Sequence, residues 1–220
     1  MTSVVFGALE HLPPQTGICR VLARAQGPEK PSWWSEISAV TMQYWPWSEG
    51  SVVFDGAEPD VVLQLSVPGR PSQVLVVECK RDSGKSGIGE RDQLARQIEN
   101  VAIPPGAQLA GLIYITQNIC RPEHELNASR IALRRSTTRR DTPIWWISWR
   151  DITPLLLAVV GDATAARLAR DAGACLKRWG MMRFGGIDFI RPAPVYEFKM
   201  AYRFDGVRVA PSYSFQGAKR

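Results

Sequence analysis

The chain has 220 residues, 45% hydrophobic and 22% charged, an ordinary globular composition that can build the core of one α/β domain with embellishments. Its formal net charge of +6 suits a polyanionic partner, because lysine and arginine displace counterions from phosphates. No apolar run approaches the roughly 18 residues of a membrane span, no secretory signal opens the chain, and the scattered Cys19, Cys79, Cys120 and Cys175 form no C-x-x-C pair, which points to reduced thiols in a cytoplasmic protein.

Residues 1–31 carry several prolines and glycines and are expected to form a lead-in, as a short strand or irregular chain. Ser32 to Trp45 is expected to be a helix. Ser32 can cap it, Glu36 lies in its early turns, Trp33, Ile37, Val40 and Tyr44 share one side, and Pro46 stops it. "SVVFDG", residues 51–56, is expected as a short strand. "PDVVLQLSV" and "SQVLVVECK" are β-rich runs joined by "PGRP", which predicts a hairpin.

The loop that follows, "RDSGKSGIG", contains Gly84-Lys85-Ser86 and invites a phosphate-loop reading. That loop needs a glycine five residues before the Gly-Lys pair, and position 79 is Cys79. A flexible Ser/Gly loop is the better account. "ERDQLARQIENVA" is expected to be an amphipathic helix with a Leu94, Ile98 and Val101 stripe. "QLAGLIYITQ" is a nearly unbroken apolar run, hence a central strand. A helix over 121–136, a buried strand over 142–151, a short helix over 151–160 and a helix over 162–180 complete the series. From Met181 onward only short β-like runs are legible. This order predicts a mixed sheet flanked by helices. The expected organisation is a lead-in at 1–31, a core at 32–150 and an extension at 151–220 packed on the core.

Chemistry gathers in the hairpin. Strand side chains alternate between faces, so Val74, Val76, Glu78 and Lys80 share one side. A carboxylate and an ammonium thus end an otherwise apolar strand, where charges need partners. If the hairpin turns symmetrically about Arg70, Asp60 lies opposite Lys80 and diagonal to Glu78, at about 7 Å. Two carboxylates with a lysine beside them can hold a hard divalent cation.

Pro59-Asp60, a spacer, and Glu78-Cys79-Lys80 resemble the signature of the PD-(D/E)XK nuclease superfamily. The order of elements read from 32 to 117 is similar to its restriction-endonuclease-like αβββαβ core. The resemblance covers roughly half the chain. It implies a metal-dependent nuclease, with DNA as the expected substrate. Asp60, Glu78 and the backbone carbonyl of Cys79 would bind Mg²⁺ or Mn²⁺, and Lys80 would orient or activate the attacking water. Glu36 would supply the extra acid that many members keep on the first helix. Gln93 would be the polar residue facing the site from the next helix, and Gln97 stands where some relatives have a tyrosine. Arg91 and Arg96 flank the glutamines and could contact phosphate. The alternative is a non-cleaving nucleic-acid-binding or regulatory subunit of a defence or repair complex. A homodimer or partner subunit stays open.

Plainer readings stand beside these. The Asp60, Glu78 and Lys80 group could be a sheet-edge salt bridge, and Glu36 could simply complement a helix dipole. Gln97 is expected on a solvated helix face. Asp55 and Glu58 suit turn chemistry, though Glu58 has the same parity as Asp60 and could still stand behind the metal ligands. "IWWISW" is expected to be core rather than a base-stacking platform. Arg130, Arg134, Arg135, Arg139 and Arg140 form a basic helix end that is either solvated or, given a nuclease fold, phosphate-tracking, with Arg134 and Arg135 the leading contacts. His124 is expected at the surface.

Overall fold

Valine- and isoleucine-rich runs build the centre of the protein. The structure, a computed structural model, describes residues 1–46, 58–136 and 138–183, and the backbone of 202–204 and 207–209. The strand expected at 51–56, and Asp55 within it, lie outside the described residues. The chain divides into two compact units, Met1–Arg183 and Phe184–Arg220.

The first unit runs α1 (Thr2–Glu10), α2 (Ile18–Leu22), a 3-10 turn (Ser32–Glu36), β1 (Ala39–Tyr44), β2 (Val61–Ser66), β3 (Gln73–Cys79), α3 (Gln93–Asn100), β4 (Gln108–Thr116), α4 (Glu123–Leu133), β5 (Ile144–Ser148), α5 (Trp149–Leu157) and α6 (Ala163–Arg178). The five strands form one sheet in chain order. β1, β2 and β3 are antiparallel neighbours, while β3, β4 and β5 run parallel. The protein is therefore an α/β structure with a five-stranded mixed sheet and six described α-helices. In the second unit, β6 (Tyr202–Phe204) and β7 (Val207–Val209) pair antiparallel.

Alternation along β3 divides the core. Val74 and Val76 pack with Leu94 and Ile98 of α3 and Leu126 of α4. Leu75 and Val77 pack on the other face with Phe6 of α1, Ile18 of α2, Ile152 of α5 and Leu176 of α6. One side of the sheet is thus covered by α3 and α4, the other by the N-terminal and C-terminal helices. No described helix is long and apolar enough to cross a membrane.

Two expectations at the start of the chain are corrected. Residues 1–31 are not an irregular lead-in: they contain α1 and α2, with Val5, Phe6, Leu9, Ile18 and Leu22 almost wholly buried. α1 contains Gly7 and two adjacent valines and has no side-chain cap. It is held by burial rather than propensity. The helix expected over 32–45 is a 3-10 turn followed by β1. Its supposed stripe is shared between the two: Trp33 and Ile37 are buried at the turn, whereas Ala39–Tyr44 extends to pair with β2. Cross-strand hydrogen bonding outweighs the helical spacing here.

The tryptophan-rich strand is core, as its composition predicts. Trp145, Trp146 and Trp149 are each 1% exposed or less. Each indole N–H finds an acceptor: Pro28 O at 3.0 Å, Thr116 Oγ1 at 2.9 Å and Lys80 O at 3.1 Å. On its outer edge β5 is closed by Gln26, which exchanges two backbone hydrogen bonds with Trp146.

β3 and β4 fall out of register between Val74 and Leu75, opposite Leu109 and Gly111. Gly111 has φ +149, and a Cβ there would lie 2.5 Å from Trp145 and 2.6 Å from Pro143 O. Gly111→Ala is expected to destabilise the protein by about 3 kcal/mol, since neither contact partner can retreat from a packed core. A urea titration by tryptophan fluorescence measures it, and an unchanged midpoint would contradict the packing described.

Candidate metal and catalytic site

The β2–β3 turn decides where the acids meet. Val61 pairs with Val77 and Val62 with Val76, so the hairpin is centred on Gly69 rather than Arg70. Arg70 N–H donates to Val67 O at 3.2 Å, and Gly69 sits at φ +72 behind Pro68. Proline followed by a glycine of positive φ is the chemistry of a type II turn. The register therefore differs from the symmetrical expectation by one pair. Continued one step beyond Val61, it sets Asp60 opposite Glu78 rather than Lys80. A shift of two residues in summed position preserves the faces, and directly opposed positions are closer, with Cβ atoms about 5 Å apart.

Glu78 is 2% exposed, an acid at the end of an apolar strand. Three side chains satisfy it. Lys80 Nζ lies 2.8 Å from Oε1. Gln93 Nε2 donates to Oε1 at 2.7 Å, and Gln97 Nε2 donates to Oε2 at 2.6 Å. Burial, then the charge of Asp60, pushes the Glu78 carboxyl above its usual range, while Lys80 and Gln97 pull it back. Asp60 is half-buried, and its Oδ2 accepts from Cys79 N–H at 2.8 Å. Burial raises its carboxyl too, against the Cys79 N–H, the Lys80 charge and a hydrogen bond from the Trp45 side chain. The two acids are thus close enough to oppose each other's ionisation.

α3 presents the glutamines because Asp92 fixes its start. Asp92 Oδ1 accepts from Ala95 N–H at 3.1 Å and caps the helix. The same carboxylate pairs with Lys85, both side chains being almost wholly buried. Lys85, the lysine of the phosphate-like loop, is thus an internal anchor. Ser86 N–H donates to Gln93 Oε1 at 3.0 Å, so the loop also holds the glutamine that holds Glu78. Lys80 is placed by its backbone: its N–H donates to Ile115 O at 2.7 Å, and its carbonyl accepts from Trp149.

Gln97 overturns the expectation of a solvated face, being 0% exposed. Its second Nε2 hydrogen goes to Glu58 O at 3.1 Å, which ties α3 to the residue two before Asp60. A helix position bounded by Arg96 and Glu99 looks polar and exposed, but a buried carboxylate beneath it needs a neutral donor. The signals available in the sequence are the i, i+4 spacing from Gln93 and the match to a position where some members of the resembled superfamily have a tyrosine. Tyr114, opposite Glu78 on β4, donates to Glu125 Oε2 at 2.7 Å and is held protonated by burial and that contact. A polar cavity of about 90 Å³ adjoins it, between Ser83, Asn118 and Glu125.

Glu36 is not brought to this group. It is exposed, just before β1, whose Ala39 pairs with Ser66 at the turn end of β2 while Tyr44 pairs with Val61 beside Asp60. Five strand steps, about 17 Å, separate those ends. Arg91 is exposed and Arg96 half-buried, both near the start of α3. Arg134 and Arg135 are exposed at the end of α4, and Arg135 lies 3.6 Å from Glu90. Arg139 leaves the basic face, because its guanidinium donates to Ile98 O and Val101 O and closes the end of α3. His124 is exposed, as expected.

Among the described residues no three histidines, cysteines or acids are placed together to hold a metal. The oxygen donors number two carboxylates. That set suits a hard cation that keeps several of its waters. Two further oxygens agree with it: Gln97 Oε1 and Glu58 Oε1 are buried and have no hydrogen-bond partner among the described residues. Acceptors without donors, next to acids that oppose each other's charge, describe a site short of positive charge. No protein-family model, curated protein or solved structure matches the chain.

Proposed function

We propose that the protein is a metal-dependent nuclease of the PD-(D/E)XK type, with a restriction-endonuclease-like core, that hydrolyses phosphodiester bonds, DNA being the first substrate to test. The observation that carries this reading is the Asp60 carboxylate accepting from Cys79 N–H, one residue beyond the Val61–Val77 pair and next to Glu78, with Lys80 in contact with Glu78. The helix–strand–strand–strand–helix–strand order of the α-helices and strands from α2 to β4 supports it.

Asp60, Glu78 and the main-chain carbonyl of Cys79 would hold Mg²⁺ or Mn²⁺. Such an ion supplies charge stabilisation at phosphoryl oxygens and a more acidic water. The chain's own groups do the rest. Gln93 and Gln97 fix the Glu78 carboxylate in one orientation without adding a charge of their own. Lys80 aims an ammonium at the place where negative charge develops on phosphate. Arg91, Arg134 and Arg135 are exposed cations suited to tracking the backbone of a bound strand, which gives register without sequence information.

The rival reading is a non-cleaving binding or regulatory subunit on the same fold. It has one observation in its favour: Glu78 is already saturated by protein donors. Supercoiled plasmid incubated with the protein in Mg²⁺, Mn²⁺ or EDTA separates the two. Nicking with either metal and none in EDTA is expected. Binding without cleavage in all three would favour the rival.

A further inference from the structure

The two unpaired oxygens beside the site have no role in the mechanism above. Gln97 cannot relieve its own by rotating the amide. Both hydrogens of Nε2 are committed, one to Glu78 Oε2 at 2.6 Å and one to Glu58 O at 3.1 Å. Turning the amide over would set its oxygen against a carboxylate and a carbonyl. The neighbours therefore fix the orientation, and Oε1 must face a donor that no group among the described residues supplies. A buried acceptor left so costs about 1–3 kcal/mol. Glu58 presents a second such oxygen, on the residue two before Asp60, and the Glu58 main chain is in contact with the Gln97 amide.

A lone protein-bound water could satisfy one acceptor but would leave the negative charge of Asp60 beside Glu78 unanswered. A hydrated cation answers both needs. Its waters donate strongly, and Mg²⁺ and Mn²⁺ sites keep several of them. Glu58 and Gln97 come from elements that enter the site from different directions, the segment before β2 and the second turn of α3. Gln97 Nε2 joins them, since it touches the main chain of one and the ligand carboxylate of the other.

We propose that Glu58 Oε1 and Gln97 Oε1 accept hydrogen bonds from water carried by the cation that Asp60 and Glu78 hold, so that these two residues set how tightly the ion binds. The inference rests on the metal-site reading above. Glu58, expected from the sequence to be a turn residue, becomes a positioning residue for the ion's water. Gln97 acquires two roles, a donor to the ligand and an acceptor from the water.

Calorimetric titration of Mn²⁺ into the full chain tests this, with Glu58→Met, Glu58→Gln and Asp60→Asn compared with the parent. Glu58→Met, which removes the acceptor, is expected to weaken Mn²⁺ binding about tenfold, the scale on which residues behind metal ligands act. Glu58→Gln keeps one acceptor oxygen and is expected to fall between it and the parent. Melting curves in EDTA supply the second readout. Glu58→Met is expected to melt no lower than the parent without metal, because an unpaired acceptor and a charge opposed by Asp60 are both gone. Equal Mn²⁺ affinity in Glu58→Met and the parent would overturn the inference and leave the metal site standing. A lower melting point of Glu58→Met in EDTA would also overturn it, by showing a structural role. Failure of the parent to bind Mn²⁺ would remove both readings.

Discussion

Glu78→Gln is expected to abolish metal-dependent cleavage, with a loss of at least about a thousandfold, the scale of removing one centrally placed charge-stabilising group. The substitution keeps the size of the side chain and removes its charge. Amide oxygen in place of Oε1 could still accept from Lys80 and Gln93. The new NH₂, in place of Oε2, would meet Gln97 Nε2 donor to donor. A stability loss of about 1–2 kcal/mol follows from that one bad contact, small enough for the protein to remain folded. The effect on activity therefore separates from the effect on stability. Mn²⁺ titration of the same variant is expected to show no binding heat. Plasmid nicking at the parent rate would remove Glu78 from the chemistry and, with it, the proposed function.

Lys80→Met is the second large effect, and its size depends on pH. Lys80 is mostly buried beside an almost fully buried acid, with side-chain exposures of 18% and 3%. Removing one partner of such a pair leaves the other charge uncompensated, which typically costs about 3 kcal/mol. Glu78 has a folded-state carboxyl raised above its unfolded value, by burial first and Asp60 second. A raised carboxyl contributes stability that is fully present below the unfolded value and is lost as pH rises through the folded one. With Lys80 gone, nothing on that strand opposes the shift. The variant is expected to approach the parent in stability below the ordinary carboxylate range and to fall behind as pH rises through it. Urea titrations in EDTA at several pH values measure this. A penalty independent of pH would show that the lysine stem, not its charge, matters. Cleavage by the variant is expected to drop as well, because the ammonium faces the same acid that would bind the ion.

The pleat made much of the site legible. Strand parity survives an error of one pair in register, so the Val62–Val76 pair keeps the expected face and the chain beyond Val61 brings Asp60 to the Cys79 N–H. α3 and its Gln93 were equally plain from the apolar stripe. Other parts depended on partners far along the chain. α1 forms because Phe6 and Leu9 are covered by distant helices, not because its own residues favour a helix. Residues 39–44 carry a spacing that a helix could use, and only the presence of β2 turns them into a strand. Gln97 looks like surface until the acid beneath it is known. Arg139 looks like part of a basic patch until the open end of α3, 38 residues earlier, claims it. In each case a long-range contact decided between two local possibilities.

The buried Lys85–Asp92 pair has a consequence for how the molecule can move. One ammonium fastens the glycine-rich segment to the first turn of α3, and that turn carries the amide that clamps the acid on β3. Segment, helix start and acid are thereby geared together. The glycines of residues 84–89 do not make a free flap over the site, and any displacement of that segment would be transmitted straight to the acid.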